Sequence, residues 1–587
     1  QSGNNNDWTS NNLTESDVMV DSPTNNFCTL NPLDRIFNTN YPAVTFAEGN
    51  LYIAIPSGSG GNACGHRGTM ARSSGKWYWE AIGDDVLEGT DGGRFGITGM
   101  DTPAKGGIEN TPFSHEWHPS SGIQKWVGTS LTTLDSTTYA DGDILGLALD
   151  LDNNIAYWYK NGSLEFTYDF TSDSADGTRE FAAWVYNGSS GSPNWWYNFG
   201  QDSSFAGTKT AQGNQDSGGV GDFYYAPPSG FLALCTKNLP DVAVIPSEHF
   251  NTVLFTGNGS TQTVTGTGFQ SDWVWNKSRN TTHGHALFDA VRGGTRRLAS
   301  ESTQEERTNE GNIAFTSDGF NVTASHPTVN NNNSPMVSWN WKAGTSVSGN
   351  STGAGDDIAY TGSVNTDAGF SIIKYGGNGT TGHQIPHRLG VVPDMIWIKN
   401  ITTQSWNCWF PNTSMGGTKM MQLDNTGAAS TQQWLNSKMP TSTVVELEAG
   451  AATNTRDGSN NPQPYIMYSF KSIEGYSKVG SYIGNSSADG TFVNTNFAVK
   501  WVLIKNTTYS SGTDWYIWDK ARDPYNSVYH DLTTNSSAAE DTDDGVRCDF
   551  LSNGFKLRHS STATNNSSHT YNYIAFAETP FKYSNAQ

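Results

Sequence analysis

Carboxylates are the first side chains in this sequence to test for chemistry, because two of them together can break a glycosidic bond. A retaining hydrolase needs its two carboxyl groups about 5–5.5 Å apart, which a Glu-x-Asp pair on a strand would supply. Asp150 and Asp152 have this spacing, but they stand at a strand end before a turn. Glu80 lies inside an aromatic strand pattern, where we expect a structural, hydrogen-bonding role. The sequence therefore predicts that the protein is not an enzyme.

Histidine pairs are the next candidates. His283 and His285 are separated by one residue, so a strand would place both imidazoles on one face as metal ligands. We favour exposed polar loop residues as the interpretation of this pair, and a solvated turn for the acidic run at 540–545. No catalytic serine or cysteine is assigned. The glycine-rich stretches lack the Lys-Ser/Thr of a phosphate-binding loop, and no cofactor is predicted.

Aromatic side chains could stack on sugar rings. The best candidates for an exposed binding surface are two short aromatic runs, because consecutive strand residues face opposite ways and one side of each run can lie outside. These residues are Trp195, Trp196, Tyr197, Tyr224 and Tyr225. Most of the remaining aromatic residues must form core.

Composition and charge limit the classes of partner that the protein is expected to bind. Charged residues make up 15% of the 587 residues and aromatic residues 12%, and the formal net charge is -22. A sequence-independent nucleic-acid binder needs clustered cations, and Arg296-Arg297 is the closest approach to a basic run. We therefore expect no nucleic acid and no anionic membrane surface as partner. No apolar run approaches the roughly 18 residues of a membrane span, so no membrane insertion is expected.

The five cysteines are dispersed and odd in number, which argues against a disulfide framework or a zinc site. Free thiols are the expected state. The chain begins Gln1-Ser2-Gly3, without an initiator Met or a signal peptide pattern, which suggests processing or an excerpt of a longer chain.

The first half of the chain carries closely spaced strand patterns. The run 75–81 alternates with period two, with Trp77 and Trp79 on one face and Tyr78 and Glu80 on the other. A buried run at 143–150 is followed, across an Asn-Asn corner, by an aromatic strand. Short strands at regular spacing with turn residues between them are typical of a β-sandwich.

An internal repeat begins after residue 250. Each copy opens with an aromatic-Gly-Asn segment, continues with a strand that ends in Lys and Asn or Ser, and closes on an alternating aromatic strand. The three second strands are Asp272–Lys277, Asp394–Asn400 and Lys500–Asn506. The copies are about 110 residues apart, so they predict three small domains and not the turns of a solenoid, which recur at about 20–50 residues.

We therefore predict an all-β fold of tandem antiparallel β-sandwich or jelly-roll-like domains in a row. The predicted divisions are an N-terminal arm at 1–40, a sandwich at 41–208, a connector at 209–248, and three repeats at 249–345, 365–475 and 476–587.

Two family resemblances follow from these patterns. Residues from about 43 to 205 resemble a SPRY domain, a concanavalin-like sandwich, through the runs 75–80, 142–146, 157–162 and 198–200 followed by Phe205. Segments 230–240, 501–506 and 573–585 resemble tail-fibre-like virion proteins of marine and cyanobacterial bacteriophages. The first resemblance implies binding through end loops, here about 84–93, 101–123 and 187–194. The second implies a virion appendage, and such fibres are often trimeric.

The resulting hypothesis is a non-enzymatic virion surface appendage that binds a host-surface glycan or protein through several β-domains. Its partners would be other virion proteins and the host surface, and we expect a homo-oligomer such as a trimer. Alternatives left open are a purely structural capsid-mounted or tail component, a polysaccharide-degrading enzyme and a cellular adhesin.

Overall fold

A computed structural model describes most of the chain. The described residues are 25–37, 44–56, 64–86, 92–100, 113–173, 179–188, 191–323, 326–411, 418–431, 438–543 and 545–583. They form two compact units, an N-terminal unit of Gln1–Pro240 and a C-terminal unit of Asp241–Gln587. The prediction of an all-β fold of antiparallel sheets is confirmed.

The N-terminal unit is a sandwich of two sheets. Its strands are β1 (Leu30–Phe37), β2 (Thr45–Ala47), β3 (Tyr52–Ala54), β4 (Cys64–Arg72), β5 (Lys76–Asp84), β6 (Gly93–Gly99), β7 (Ser114–His118), β8 (Gly122–Val127), β9 (Ser130–Asp135), β10 (Ile144–Asp150), β11 (Ile155–Lys160), β12 (Ser163–Asp169), β13 (Phe181–Asn187), β14 (Asn194–Asn198) and β15 (Leu232–Ala233). One sheet has the order β1-β4-β13-β6-β7-β8-β9. The other has the order β12-β11-β10-β5-β14-β3-β2, and β15 pairs with β5.

Period-two alternation decides which residues fill the sandwich. On β5, Trp77 and Trp79 point inward, and both are buried. Tyr78 lies on the outer face, where Phe223 covers it at a ring distance of 5.3 Å. Segment 200–235 packs over part of this outer face, so β5 is buried on both sides.

The C-terminal unit contains three repeats of one sheet pattern. The first repeat has β16 (Phe250–Thr256), β17 (Gln262–Val264), β18 (Trp273–Ser278), β19 (Ala286–Asp289), β20 (Arg296–Arg297), β21 (Arg307–Thr308), β22 (Ile313–Thr316), β23 (Gly319–Val322) and β24 (Pro335–Trp341). The second has β25 (Thr345–Asn350), β26 (Thr352–Gly353), β27 (Ala359–Asn365), β28 (Phe370–Gly376), β29 (His383–Pro386), β30 (Met395–Asn400), β31 (Trp406–Trp409), β32 (Lys419–Gln422), β33 (Ser430–Thr431), β34 (Val444–Leu447) and β35 (Pro464–Phe470). The third has β36 (Ser477–Ile483), β37 (Phe492–Asn494), β38 (Phe497–Asn506), β39 (Trp515–Asp519), β40 (Leu532–Thr533), β41 (Cys548–Leu551), β42 (Gly554–Leu557) and β43 (Thr570–Pro580).

In each repeat, the opening strand pairs with the closing strand, which pairs with the second strand, which pairs with the third. The three orders are β16-β24-β18-β19, β28-β35-β30-β31 and β36-β43-β38-β39. A smaller sheet of three strands accompanies each: β17-β23-β22, β26-β29-β34 and β37-β42-β41. The repeat found in the sequence is therefore also a repeat of topology.

Helices are few and short among the described residues. The α-helix α1 spans Pro327–Asn330, and 3-10 turns span Glu48–Asn50, Thr236–Asn238, Pro246–Glu248 and Phe581–Tyr583. No helix in the described ranges has the length and apolar character needed to cross a membrane.

Several structural boundaries differ from those expected from the sequence. Part of the predicted arm, Leu30–Phe37, is the edge strand β1 of a sheet, paired with β4. Within the predicted connector, residues up to Pro240 belong to the N-terminal unit. Strands β25 and β27 lie almost entirely in the predicted interval between the first and second repeats, and they extend the sheet of the second repeat. The sequence of β25 has no aromatic residue, so it lacks the pattern that marked the repeats.

The three repeats do not stand in a row, because they share one apolar core. The cluster contains Trp273 and Trp341 from the first repeat, Tyr468 from the second, and Trp501 and Phe576 from the third. The Trp273 ring lies 4.9 Å from that of Tyr468, and the Trp341 ring lies 5.8 Å from that of Trp501. Each repeat therefore buries its main sheet against the other two.

Candidate functional site

Of the five aromatic residues expected to bind a ligand, two are buried and three are half-buried. Trp195 and Tyr197 are 0% and 1% exposed, because they point into the sandwich, where the Trp195 ring stacks near Phe95 at 6.3 Å. The expectation that they contact a ligand is therefore wrong. Trp196, between them on β14, faces outward and is half-buried. Tyr224 and Tyr225 are also half-buried and pack in the same cluster as Trp196.

A cross-strand row builds the floor of this cluster. Trp196 on β14 lies opposite Tyr52 on β3 and Ile82 on β5, and Ile82 lies opposite Ile144 on β10. Directly opposed residues on one face lie close enough to pack side by side. The Tyr52 and Trp196 rings are 5.0 Å apart. The row therefore gives an apolar strip across four strands.

Segment 222–225 lies against this strip. The rings of Tyr224 and Tyr225 are 5.0 Å apart, and the Tyr224 ring lies 6.3 Å from that of buried Phe205. Tyr225 passes over Gly162, where a Cβ atom would meet its ring at 2.7 Å. We call the half-buried aromatic residues Tyr52, Trp196, Tyr224 and Tyr225 the aromatic patch.

Glu80 holds segment 222–225 in position. One carboxylate oxygen accepts the backbone N–H of Tyr224 at 2.8 Å, and the other accepts that of Tyr225 at 2.8 Å. The Tyr78 hydroxyl and the Asn198 amide donate to the same carboxylate at 3.1 and 3.2 Å. Burial raises the pKa of Glu80 to about 7, although these four donors oppose the shift. Glu80 therefore positions the patch, and its own oxygens are not accessible.

Tyr52 and the acidic positions 150 and 152 have polar partners. The Tyr52 hydroxyl donates to the Asn194 side chain at 2.9 Å. Asp150 pairs with Lys76 at 2.7 Å, and Asp152 accepts the Gly75 N–H at 2.8 Å. Asp150 and Asp152 thus stabilise strand ends and turns, just as Glu80 stabilises segment 222–225.

The structure contradicts the metal hypothesis for the histidine pair. His285 is fully buried, and its Nδ1 accepts the Trp275 indole N–H at 2.8 Å, so its Nε2 carries the proton and donates to the Thr533 carbonyl at 3.1 Å. Burial lowers the pKa of His285 to about 3. Both ring nitrogens are therefore used, and His283 is left half-buried without the expected second ligand.

The acidic run at 540–545 is tied down by Glu540 and not by a cation site. Glu540 accepts from Arg279 at 2.7 Å and from Arg522 at 3.0 Å, and both arginines hold its pKa down against burial. Asp544 lies outside the described residues. The expected solvated turn is thus partly a buried ion-pair network.

One constellation was overlooked in the sequence. Residues 349–353 have the G-x-S-x-G spacing, and Ser351 Oγ lies 2.7 Å from His383 Nε2, whose Nδ1 lies 3.2 Å from Asn454 Oδ1. This order of contacts resembles a hydrolytic triad. All three residues are 0% exposed, however, and Ser351 lies between two strands and not on a strand-to-helix elbow. Ser351 also accepts the Ile358 N–H at 2.8 Å, so the contacts fasten a loop.

Asn454 belongs to a clasp that every repeat contains. In each copy, a buried asparagine side chain accepts the backbone N–H of the Asn in the opening Gly-Asn turn and donates back to that turn. The pairs are Asn258 with Asn330, Asn378 with Asn454, and Asn485 with Asn565. The first asparagine of each pair was visible in the repeat, but the second lies in segments without a recognisable strand pattern.

The loops implied by the SPRY resemblance are only partly described. Residues 87–91, 101–112 and 189–190 lie outside the described residues. Asp84 and Asp85 belong to the described start of the first loop, and they are grouped with Asp141. All three aspartates are exposed, and each has a carboxylate oxygen within 4.8 Å of the others. These aspartates border the aromatic patch, since Asp84 lies opposite Asn194 on β14.

Residues 245–580 match a protein family that is described as a domain of unknown function (DUF7483). The chain belongs to this family. The matched residues span all three repeats, so the DUF7483 domain corresponds to the C-terminal unit with its shared core. No curated protein sequence matches the chain.

Solved structures with similarity to the chain include SPRY and lectin-type domains. The SPRY domain of human HERC1 is 16% identical, with a TM-score of 0.21, and covers 29% of this chain and 96% of that one. The TRIM65 PSpry domain is 13% identical, with a TM-score of 0.22 over 29% and 92% of the two chains. The Emp46p carbohydrate recognition domain, in its metal-free form, is 10% identical, with a TM-score of 0.20 over 28% and 87%.

Proposed function

We propose that this protein is a non-enzymatic virion surface appendage that binds a host-surface glycan through the aromatic patch of its N-terminal unit. The observation that carries the proposal is the outward, half-buried row of Tyr52 and Trp196 with Tyr224 and Tyr225 beside it. Aromatic rings offer a flat apolar face and, in tyrosine, a polar edge. Such a surface suits the CH face and the hydroxyl groups of a pyranose ring.

Burial supports the non-enzymatic part of the proposal. Glu80 and the residues Ser351, His383 and Asn454, which have catalytic residue types, are all 0% exposed and satisfied by hydrogen bonds to their own fold. A reacting group must come within about 3 Å of its substrate, which these four side chains do not allow.

The virion location is supported by the sequence resemblance of segments 230–240, 501–506 and 573–585 to tail-fibre-like proteins of phages. In this proposal, the partners are other virion proteins and a host-surface glycan, and the appendage is a homo-oligomer such as a trimer. Repetition of one modest site on an oligomer raises the effective concentration of the second and third sites, so that avidity builds without new contacts.

A purely structural role is a second candidate for the C-terminal unit. Its main sheets bury their aromatic faces in one core, and the buried asparagine clasps are satisfied internally. These features suit a rigid structural body.

Binding of the labelled chain to intact cyanobacterial cells, with competition by polysaccharide extracted from those cells, tests the proposal. We expect saturable binding that the polysaccharide removes, and at least tenfold weaker binding for Trp196→Ala. A matched control is Phe166→Ala, a half-buried aromatic residue on the edge strand β12, which should bind as the wild type does. Absence of binding by a folded chain would favour the purely structural role.

A further inference from the structure

Carboxylates border the aromatic patch on one side. Asp84, Asp85 and Asp141 are exposed, and each has a carboxylate oxygen within 4.8 Å of the others. Asp84 shares the outer face of β5 with Ile82, one row beyond Trp196. Burial raises the pKa of Tyr52, and the charge of Asp84 raises it further.

A fourth carboxylate lies on the side of Tyr225. Asp143 accepts from the Asn161 amide at 2.7 Å and from the Ala140 N–H at 2.9 Å, which fix its position beside the patch. The pKa of Tyr225 is raised by burial first, and then by Tyr224, Glu80 and Asp143. The acidic border thus reaches both ends of the aromatic surface.

Cations do not neutralise this border. Within the described parts of the chain, none of these four aspartates is ion-paired with a lysine or arginine. Lys209 lies close by, where it donates to the Gly142 carbonyl at 3.1 Å. The described border of the patch therefore holds four carboxylates that no salt bridge pairs.

We propose that the aromatic patch selects an uncharged polysaccharide and rejects acidic ones. This inference rests on the proposed glycan-binding function and adds the class of ligand. Sugar hydroxyl groups donate hydrogen bonds, and the exposed carboxylates are strong acceptors for them. A uronate, sulfate or phosphate group on the ligand would instead meet like charges at short range, and the repulsion would be reduced by salt.

The test uses polysaccharide extracted from cells to which the chain binds, separated on an anion exchanger into uncharged and acidic fractions. Competition is measured at equal sugar concentration and low salt, with EDTA present so that no divalent cation neutralises the carboxylates. We expect the uncharged fraction to compete at least tenfold more strongly. Reduction of the carboxyl groups of the acidic fraction should restore part of its competition.

The double variant Asp84→Asn with Asp85→Asn separates charge from shape. Asparagine tolerates the positive φ of 55° at residue 85, so the fold should be retained. We expect the disadvantage of the acidic fraction to shrink severalfold. Affinity for the uncharged fraction should fall by less than this, because the Asn side-chain oxygens still accept hydrogen bonds from sugar hydroxyl groups. Glu165→Gln, which removes an exposed carboxylate on β12, three strands from β5, should change neither value.

Stronger competition by the acidic fraction, or a double variant with an unchanged preference, would overturn the inference while leaving glycan binding intact. If neither fraction competes, although the chain is folded, the proposed function fails and this inference fails with it.

Discussion

At the residue scale, the face of a strand decides between core and binding surface. Trp195 and Trp196 are adjacent in sequence, yet the first packs against Phe95 and the second packs beside Tyr52 at the surface. The sequence predicted that the two short aromatic runs contribute to a binding surface and that one face of each run could lie outside. Asn194 and Asn198 share the face of Trp196, whereas Tyr197 shares that of Trp195, so the alternation along β14 favours Trp196 as the outer residue. The alternation could not predict the cover from segment 200–235, because those residues are distant in sequence.

The two tryptophans make a matched pair for mutation. Trp195→Ala should lower the free energy of unfolding of the N-terminal unit by about 3–5 kcal/mol, because it leaves a cavity in the sandwich. Trp196→Ala should cost about 1 kcal/mol, because its side chain is only half-buried. Chemical denaturation followed by fluorescence measures both. Equal costs would contradict the assignment of the two faces.

Glu80 gives the N-terminal unit a pH dependence. Its pKa is about 7 in the folded protein and near the ordinary value of 4.5 when unfolded. The folded state therefore holds more protons between these values, and stability should fall as pH rises from about 4.5 to 7. The total is at most about 3 kcal/mol, at 1.36 kcal/mol per pKa unit.

The variant Glu80→Gln should flatten this slope. The two N–H groups bond to different oxygens of Glu80, and Gln replaces one of these oxygens with an NH2 group, which is a donor. Either the Tyr224 or the Tyr225 N–H therefore loses its acceptor, and the exchange of that amide with deuterium should quicken at pH 8. Hydrogen exchange of peptides covering 222–226, measured at pH 5 and 8, follows both the pH dependence of this segment and the loss of its hydrogen-bond acceptor. Unchanged protection in the variant would show that Glu80 does not position the patch.

At the scale of elements, the three second strands each bring one lysine into the interior. Lys277, Lys399 and Lys505 are 0% exposed and occupy equivalent positions at the ends of β18, β30 and β38. Their ammonium groups donate to backbone carbonyls. Lys399 reaches Thr303 of the first repeat at 3.3 Å, and Lys505 reaches Thr426 of the second at 2.8 Å. Lys399 and Lys505 therefore link neighbouring repeats, whereas Lys277 donates to the Ser278 and Thr281 carbonyls of its own repeat.

Replacement of Lys505 by methionine should leave the Thr426 and Thr513 carbonyls without this donor. We expect a loss of about 1–3 kcal/mol at pH 7. Burial lowers the pKa of Lys505 to about 7, so the unfolded chain holds more protons between pH 7 and its ordinary value of 10.5. Wild-type stability should therefore gain from this lysine's deprotonation as pH rises through that range.

The same variant isolates the pH effect. The rise in wild-type stability between pH 7 and 10 that is due to Lys505 should be missing in Lys505→Met, as measured by thermal unfolding at both pH values. Parallel pH profiles for the two proteins would contradict a buried, poorly solvated ammonium group at this position.

The repeated second strand and its lysine were visible in the sequence, but the buried position of the lysine was not. Lysine in a strand pattern is ordinarily a solvent-facing residue. For Lys399 and Lys505, one carbonyl partner comes from another repeat, and no local pattern predicts such a contact.

At the scale of the whole molecule, the repeats of the C-terminal unit interlock in a closed cycle. Trp406 of the second repeat donates its indole N–H to the Ala299 carbonyl of the first at 2.8 Å. Trp515 of the third donates to Gln422 of the second at 2.9 Å. His285 of the first donates to Thr533 of the third at 3.1 Å. The second and third repeats thus each donate a hydrogen bond from the start of the third strand to the preceding repeat. The first repeat donates from the corresponding position to the third repeat.

Buried ion pairs also take part in the contacts between repeats. Asp289 pairs with Arg292 and accepts from the Tyr468 hydroxyl of the next repeat at 2.8 Å. Asp519 pairs with Arg522 and accepts from the Trp339 indole of the first repeat at 3.0 Å. At the corresponding positions between the second and third repeats, Phe410 and Ile574 replace the carboxylate and the donor, and both are buried in the shared core. At this contact, apolar residues therefore replace both the carboxylate and its hydrogen-bond donor, so that no buried charge is left unpaired.

The sequence predicted three copies but placed them in a row. Periodicity reveals that a module recurs, but it does not reveal which face the module buries. On the closing strand of the first repeat, Trp339 and Trp341 alternate with polar Ser338 and Asn340, a pattern that also fits a strand with one solvent-facing side. All four residues are buried, and the two polar ones bond within the first repeat, to each other and to Ser271 and Asn251.

A closed cycle predicts cooperative unfolding. Glu540→Ala removes the buried partner that Arg279 of the first repeat and Arg522 of the third share, so it should destabilise the C-terminal unit by about 3–5 kcal/mol. Because each repeat contacts both others, calorimetry should show one transition for all three repeats, shifted to lower temperature in the variant. Separate transitions for the repeats would contradict the closed arrangement.

The central claim is that the aromatic patch of the N-terminal unit holds the glycan, and hydrogen exchange with and without saturating host polysaccharide tests it most directly. The account predicts added protection in peptides that contain Tyr52, Trp196 and residues 222–225, with the three repeats unchanged. Protection confined to the C-terminal unit or to other loops, with the patch unaffected, would contradict it.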